Sequence, residues 1–174
     1  KHFDQVIQDP RVMPHLHLSI QAGDNMILKR MKRRHNADDV RNFVQRCKSL
    51  RKDITFGADI IAGFPTETEE MFYNTYKLLK ECKISHLHIF PFSPKENTPA
   101  ARMPQLQKSI IKQRAQKLRQ LGEELLDEVK KEFYLPRKVL IEEVKTGAVV
   151  GYDQNYIKHR IPMIGLPIGE IVTA

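Results

Sequence analysis

The sequence predicts a parallel α/β unit followed by a small all-β module. Three observations carry this expectation. Short apolar or alternating runs at 15–21, 54–61 and 86–90 are separated by helix-patterned stretches, the spacing of strand–helix–strand crossovers. A long amphipathic stretch follows, from about Leu106 to Phe133. Beyond Pro136 the periodicity falls to two, and glycine and proline punctuate several short runs.

Taken in order, the opening from Lys1 to Met13 reads as irregular, with Pro10 and Pro14 ahead of the first strand. In that strand Leu16, Leu18 and Ile20 alternate with His15, His17, Ser19 and Gln21, so one face is apolar and the other polar. Gly23 allows a tight turn, and Asp24 or Asn25 can cap a short helix reaching Met31. Asn36 is suited to cap the next helix, Ala37 to Leu50, whose stripe is Val40, Phe43, Val44 and Cys47. The run from Ile54 to Ile61 is almost wholly apolar, as expected of a strand covered on both faces. Thr66-Glu67-Thr68-Glu69-Glu70 reads as a helix start, with a hydroxyl cap and acids in the first turn. The third strand, His86 to Phe90, stops at Pro91, and a loop spans Lys95 to Pro104. The long helix carries Leu106, Ile110, Leu118, Leu121, Leu125, Val129 and Phe133. Short strands are expected around Val139–Val144, Ala148–Tyr152, Tyr156–Arg160 and Glu170–Val172, which places a boundary near residue 135, between a unit at 1–135 and a β-module at 136–174.

Composition narrows the function. The chain has 174 residues with 29 Lys+Arg against 21 Asp+Glu, a net charge of +8. Such an excess favours an anionic partner, nucleic acid above all. No apolar run approaches the ~20 residues of a membrane helix, so no membrane partner is expected. The first residue is Lys1, so the chain is expected to begin within a longer protein. Its two cysteines, Cys47 and Cys82, cannot by themselves hold an iron–sulfur cluster or a four-thiolate zinc site.

Several groups of residues bear chemistry. The pairs His15/His17 and His86/His88 each share a strand face; they either fill a polar interior or converge on a metal, as in a metal-dependent hydrolase. The polar interior is the favoured reading, and no metal ligand is assigned. Gly63-Phe64-Pro65 lies where parallel α/β folds bind ligands, at a strand's carboxyl end. From Lys29 to Lys52 the chain is dense in Lys and Arg, which is either a solvated face or a phosphate-binding one. In the β-module Tyr152, Asn155, Tyr156, Lys158, His159 and Arg160 interleave aromatic, polar and basic groups, which suits stacking and charge neutralisation on RNA.

The motifs go further. His15-Leu16-His17-Leu18-Ser19-Ile20-Gln21-Ala22-Gly23-Asp24, then Leu28-Lys29-Arg30-Met31-Lys32-Arg33-Arg34-His35, resemble the middle of the radical S-adenosylmethionine methylthiotransferases. So do Asp59 to Thr68 and His88-Ile89-Phe90-Pro91-Phe92-Ser93-Pro94 with Thr98-Pro99-Ala100-Ala101. The match is best to the branch acting on N6-threonylcarbamoyladenosine in tRNA. The β-module resembles the RNA-binding TRAM domain of such enzymes.

This resemblance implies the C-terminal half of a partial, six-stranded TIM-like radical barrel, followed by a TRAM barrel. It implies S-adenosylmethionine and, in the full-length family, two [4Fe-4S] clusters, and an enzyme that adds a methylthio group to an adenine beside the tRNA anticodon. The Cys-x-x-x-Cys-x-x-Cys motif that holds the radical cluster is absent from this sequence, so the chain alone is expected to be inactive, and no residue is assigned as catalyst. The alternative is an RNA-binding remnant without catalysis. By match to family motifs, Ser19 and Gln21 face the cofactor's ribose and amino-acid portion and Arg33 its carboxylate. Asp59, Ile61 and Gly63 form the adenosine-side motif, and Phe90 and Pro91 the edge where the adenine lies. The RNA-binding residues are Tyr152, Tyr156, Lys158 and Arg160. A tRNA partner implies the cytoplasm.

Overall fold

A computed structural model describes residues 2–133, 136–162 and 165–174. It contains two sheets. The first is parallel, with β1 (His15–Gln21), β2 (Thr55–Ala62) and β3 (His86–Pro91) side by side in that order. The helices α1 (His2–Gln8), α2 (Asn25–Arg30), α3 (Ala37–Leu50), α4 (Glu69–Cys82) and α5 (Lys108–Glu132) accompany it. The second sheet is antiparallel: β4 (Lys138–Lys145), β5 (Ala148–Asp153), β6 (Lys158–Ile161) and β7 (Ile171–Thr173), in the order β6-β5-β4-β7.

The helix starts follow from local chemistry. The Asp24 carboxylate accepts from Met26 N and Ile27 N at 2.9 and 3.0 Å and so caps α2. Asn36 and Asp39 form a reciprocal capping box on α3. Thr68, not Thr66, caps α4, which places Glu67 outside the helix.

Helices cover one face of the parallel sheet. Phe56, Ala58, Ile60 and Ala62 of β2 are buried against Val44 and Cys47 of α3, Phe72, Leu78 and Leu79 of α4 and Leu118 and Leu121 of α5. The expectation that β2 is covered on both faces does not hold: its other face carries Asp59 and Ile61, which are only half-buried. The stripe of α5 also differs, because Ile111 and Arg114 occupy the buried face where Ile110 was expected. The opening segment is not irregular: α1 buries Ile7, sets Phe3 5.4 Å from Phe43 and pairs Asp4 with Arg46 at 2.7 Å. Pro10 limits this helix to seven residues, too short for its periodicity to stand out in the sequence. The loop at 95–104 contains one 3-10 turn, Pro99–Arg102. The expected boundary at residue 135 lies outside the described residues.

The β-module has a core of Val139, Ile141, Val149 and Ile161. It is fastened to the amino ends of the parallel strands by the turn after β5. Asn155, wholly buried there, donates from Nδ2 to Pro14 O at 3.0 Å and Asp53 O at 2.7 Å, and its Oδ1 accepts from Arg137. Asp153 orders the turn by accepting from Asn155 N at 2.8 Å and Ile157 N at 3.1 Å. Beside it the Tyr156 ring lies 5.0 Å from His15, and the Tyr156 carbonyl is 3.2 Å from His86 Nε2.

Asn155→Ala strips partners from several buried groups at once. At ~1–3 kcal/mol for each group left unsatisfied, it is expected to lower unfolding free energy by about 2–4 kcal/mol. Urea titration followed by circular dichroism measures this; an unchanged midpoint would show that the turn does not fasten the module.

Candidate functional site

The carboxyl ends of the three parallel strands form one edge, lined by Gln21, the loop after Ala62, and Pro91. Non-glycine residues with positive φ gather here: Gln21 at 69° and Thr66 at 66°, flanking Gly63 at 75°. Such backbone is costly and persists where surrounding contacts hold it. Those contacts are present. Gly63 N donates to Glu67 Oε2 at 3.2 Å, and Arg114 Nη1 donates to the same oxygen at 2.7 Å and to Glu67 O at 2.9 Å. A Cβ at Gly63 would lie 2.7 Å from Ile111, so only glycine lets the loop sit this close to α5. Arg30 Nη1 reaches Thr66 O at 3.3 Å from the other side. Burial raises the Glu67 carboxyl above its ordinary value, with Arg114 opposing that rise. Beneath the edge Ala22, Ile27, Leu28 and Phe64 form a small separate core.

The residues expected at the cofactor divide into three groups. Ser19, Ile61 and Phe90 share the open face near this edge, with Ser19 and Phe90 exposed and Ile61 half-buried, while half-buried Gln21 ends β1 past a register shift that sets it opposite Ile60. Gly63 and Pro91 lie on the edge itself. Asp59 sits one layer lower and is bonded to histidines, at 2.9 Å to His17 Nε2 and 3.3 Å to His88 Nδ1. Arg33 lies exposed in the turn after α2, while Arg30 is the guanidinium that reaches the edge. Glu67 and Arg114 were missed by sequence reasoning. Glu67 was absorbed into a helix-start pattern, and the only signal for Arg114 was a charge beside an apolar stripe.

The two His-x-His pairs do not converge as four. Side-chain contacts part them into two couples, one histidine from each strand in each. His15 and His86 stack with ring centroids 4.7 Å apart, and His15 Nδ1 is 2.9 Å from Thr55 Oγ1. Burial, together with the neighbouring His86 and His17, lowers the His15 pKa to about 4. His17 and His88 form the other layer with Asp59.

The residues expected at RNA lie on the other sheet. Across β4, β5 and β6, Leu140 faces Tyr152 and Tyr152 faces Lys158, with the Lys158 ammonium 5.9 Å from the Tyr152 ring. Lys158 and Arg160 are exposed. Tyr156 joins Tyr152 along a groove of about 340 Å³ shared with Met13, Leu140 and Ile171. Two residues read as part of this surface are structural instead: Asn155 is buried in the turn, and His159 Nε2 pairs with Asp153 at 3.1 Å. The groove lies at the amino ends of the parallel strands, and the expected cofactor residues lie toward their carboxyl ends. Along a seven-residue strand such as β1 the two ends are separated by roughly 20 Å, at about 3.3 Å per residue.

S-adenosylmethionine fits the carboxyl edge in kind: hydroxyl and amide groups at Ser19 and Gln21, an exposed ring at Phe90, and close-approaching backbone at Gly63. Iron–sulfur clusters do not fit this chain. Cys47 and Cys82 are buried in the helix-covered core, and burial raises both thiols away from the thiolate form a cluster needs.

Residues 6–79 match the model of the radical SAM superfamily. The chain is 46% identical over 172 residues to the threonylcarbamoyladenosine tRNA methylthiotransferase MtaB of Rickettsia prowazekii, covering 99% of this chain and 40% of that protein. It is 37% identical over 166 residues to MtaB of Thermotoga maritima, covering 94% and 38%. It is also 38% identical over 144 residues to the tRNA-2-methylthio-N(6)-dimethylallyladenosine synthase of Aquifex aeolicus, covering 82% and 33%. The chain therefore spans about 40% of the length of the MtaB relatives it matches. The similarity is thus to proteins named as tRNA methylthiotransferases and to the radical SAM superfamily.

Arg114→Ala leaves Glu67 buried without its partner, a change that typically costs about 3–5 kcal/mol. Thermal or urea unfolding tests this; a loss below about 1 kcal/mol would mean that this ion pair does not hold the Gly63 loop.

Proposed function

We propose that this chain, similar along nearly its whole length to radical SAM tRNA methylthiotransferases, supplies the later strands of a partial TIM-like barrel and a TRAM-like RNA-binding module to such an enzyme. The reaction is addition of a methylthio group to the adenine ring of N6-threonylcarbamoyladenosine beside the anticodon. The 46% identity over 99% of the chain carries this reading, because it runs through both sheets and the loops between them. It also favours a methylthiotransferase over a hydrolase built on the His-x-His pairs.

S-adenosylmethionine, when bound, supplies the one-electron chemistry that an unactivated adenine C–H requires and that side chains lack. The chain's own part is to bind and orient. Ser19 and Gln21 offer hydrogen bonds near the carboxyl edge. Phe90 offers an exposed ring surface for an adenine. Gly63, held by Glu67 and Arg114, fixes the backbone beside them. Arg33 lies exposed, free to meet the methionyl carboxylate. Both clusters of the full-length family find their ligands outside this sequence, so the chain alone is inactive. Among the described residues no helix is long and apolar enough to cross a membrane, and the proposed tRNA substrate accords with a cytoplasmic enzyme.

The RNA is met by the row Tyr152, Lys158 and Arg160, with Tyr156 at its margin. The two ends of the strands being so far apart means that the tRNA contacts the module with a part other than the adenine being modified.

Deleting the gene and analysing tRNA nucleosides by mass spectrometry tests the reaction: N6-threonylcarbamoyladenosine is expected to persist without its methylthio group, and continued methylthiolation would overturn the assignment. A double variant, Tyr152→Ala with Lys158→Ala, tests the module. One lost base stack at ~1–3 kcal/mol predicts a weakening of tRNA affinity of about tenfold or more, measured by fluorescence anisotropy. Unchanged affinity would remove this face from the RNA contact.

A further inference from the structure

We infer that His17, Asp59 and His88 form a binding site for a single divalent first-row metal ion of the zinc class. The site lies inside the concave face, one layer below the carboxyl edge. This does not depend on the methylthiotransferase reading, since it rests on three side chains and their register.

The geometry comes from the sheet. β2 presents Asp59 directly opposite His88 of β3, and His17 of β1 opposite Gly57, two residues before Asp59. All three side chains therefore rise on the same face, one from each strand. Asp59 Oδ1 is 2.9 Å from His17 Nε2 and 3.3 Å from His88 Nδ1, and one ligand atom from each residue lies within 4.8 Å of the others. Ligands bonded to one ion at 2.0–2.2 Å lie about 3.0–3.5 Å from one another. The two carboxylate–imidazole separations are thus already close to those of a filled site, and closing the imidazole pair takes rotation of exposed rings only.

The chemistry of the donors also fits. Two imidazoles and one carboxylate are a common three-ligand set for zinc and for iron(II), and they leave further positions open to water or another ligand. Binding requires a lone pair on His17 Nε2 and on His88 Nδ1, so each ring keeps its proton on the other nitrogen.

Gly57 shows that room is made for this arrangement. A Cβ there would lie 2.6 Å from His17 Nδ1 and 2.9 Å from His86 O. Only glycine lets the His17 ring lie across β2 toward Asp59.

The test is calorimetric titration of the 174-residue chain with Zn²⁺, with Co²⁺ absorption reporting the ligand set. One equivalent is expected to bind. His88→Ala is the principal variant, because this exposed side chain lies outside both cores. It is expected to weaken Zn²⁺ binding at least tenfold while the circular dichroism spectrum stays unchanged. His159→Ala, at the Asp153 pair in the other sheet, is expected to leave binding unchanged. Absence of saturable binding, or equal affinity in the His88→Ala chain, would overturn the site and show a purely hydrogen-bonded His–Asp–His cluster.

Discussion

The parallel register of three strands is the constraint on which the rest depends. Side chains alternate between faces along each strand, and parallel pairing keeps equal positions level. Helices cover one face, so every residue at the alternate positions falls on a single concave surface. Contacts layer that surface: His15 with Thr55 and His86, then His17 with Asp59 and His88, with Ile61 opposite Phe90 beyond them. A slip of one residue in β2 would send Asp59 into the helix-packed core and Ile60 into the concave face. The carboxyl edge, the His–Asp–His cluster and the docking floor for the β-module are three levels of one pattern.

The two ends of this pattern are held by different means. At the carboxyl end a buried carboxylate, Glu67, draws together the Gly63 loop and Arg114 of the last long helix. The helix that packs the sheet therefore also sets the loop. Removing either partner alone is costly, because the other stays buried and charged. At the amino end the fastening turns on a neutral amide. Asn155 donates to Pro14 O, which Thr55 N also reaches, and to Asp53 O, and its own oxygen accepts from the Arg137 guanidinium. The β-module, with a core of only a few residues, gains a fixed orientation from this one side chain.

The element order, most boundaries and the caps at Asp24 and Asn36 were legible in the sequence, because they are set by local periodicity and side-chain-to-backbone hydrogen bonds. Helix α1 was not, since seven residues ahead of a proline show too little periodicity. Its helix is held by Phe43 and Arg46, forty or more residues away in the chain. Glu67 was read as an acid at a helix start because Thr66 and Thr68 are equally good caps on paper. Only the left-handed backbone at Thr66 moves the start to Thr68 and sends Glu67 inward. Asn155 and His159 looked like members of an RNA-facing surface because the alternation that places Tyr152 and Lys158 outward breaks at the β5–β6 turn.

The sequence by itself determined the α/β-then-β order, the polar and apolar faces of each strand, and the motifs that tie the chain to methylthiotransferases. Each of these is written in neighbouring residues. Only the tertiary structure decided that the two His-x-His pairs part into separate layers, that Asp59 stands between His17 and His88, and that the β-module seats at the end of the strands opposite their carboxyl edge. Those outcomes depend on inter-strand register and on contacts between residues 42 to 141 positions apart, such as His17 with Asp59 and Asn155 with Pro14. No local pattern encodes such distances.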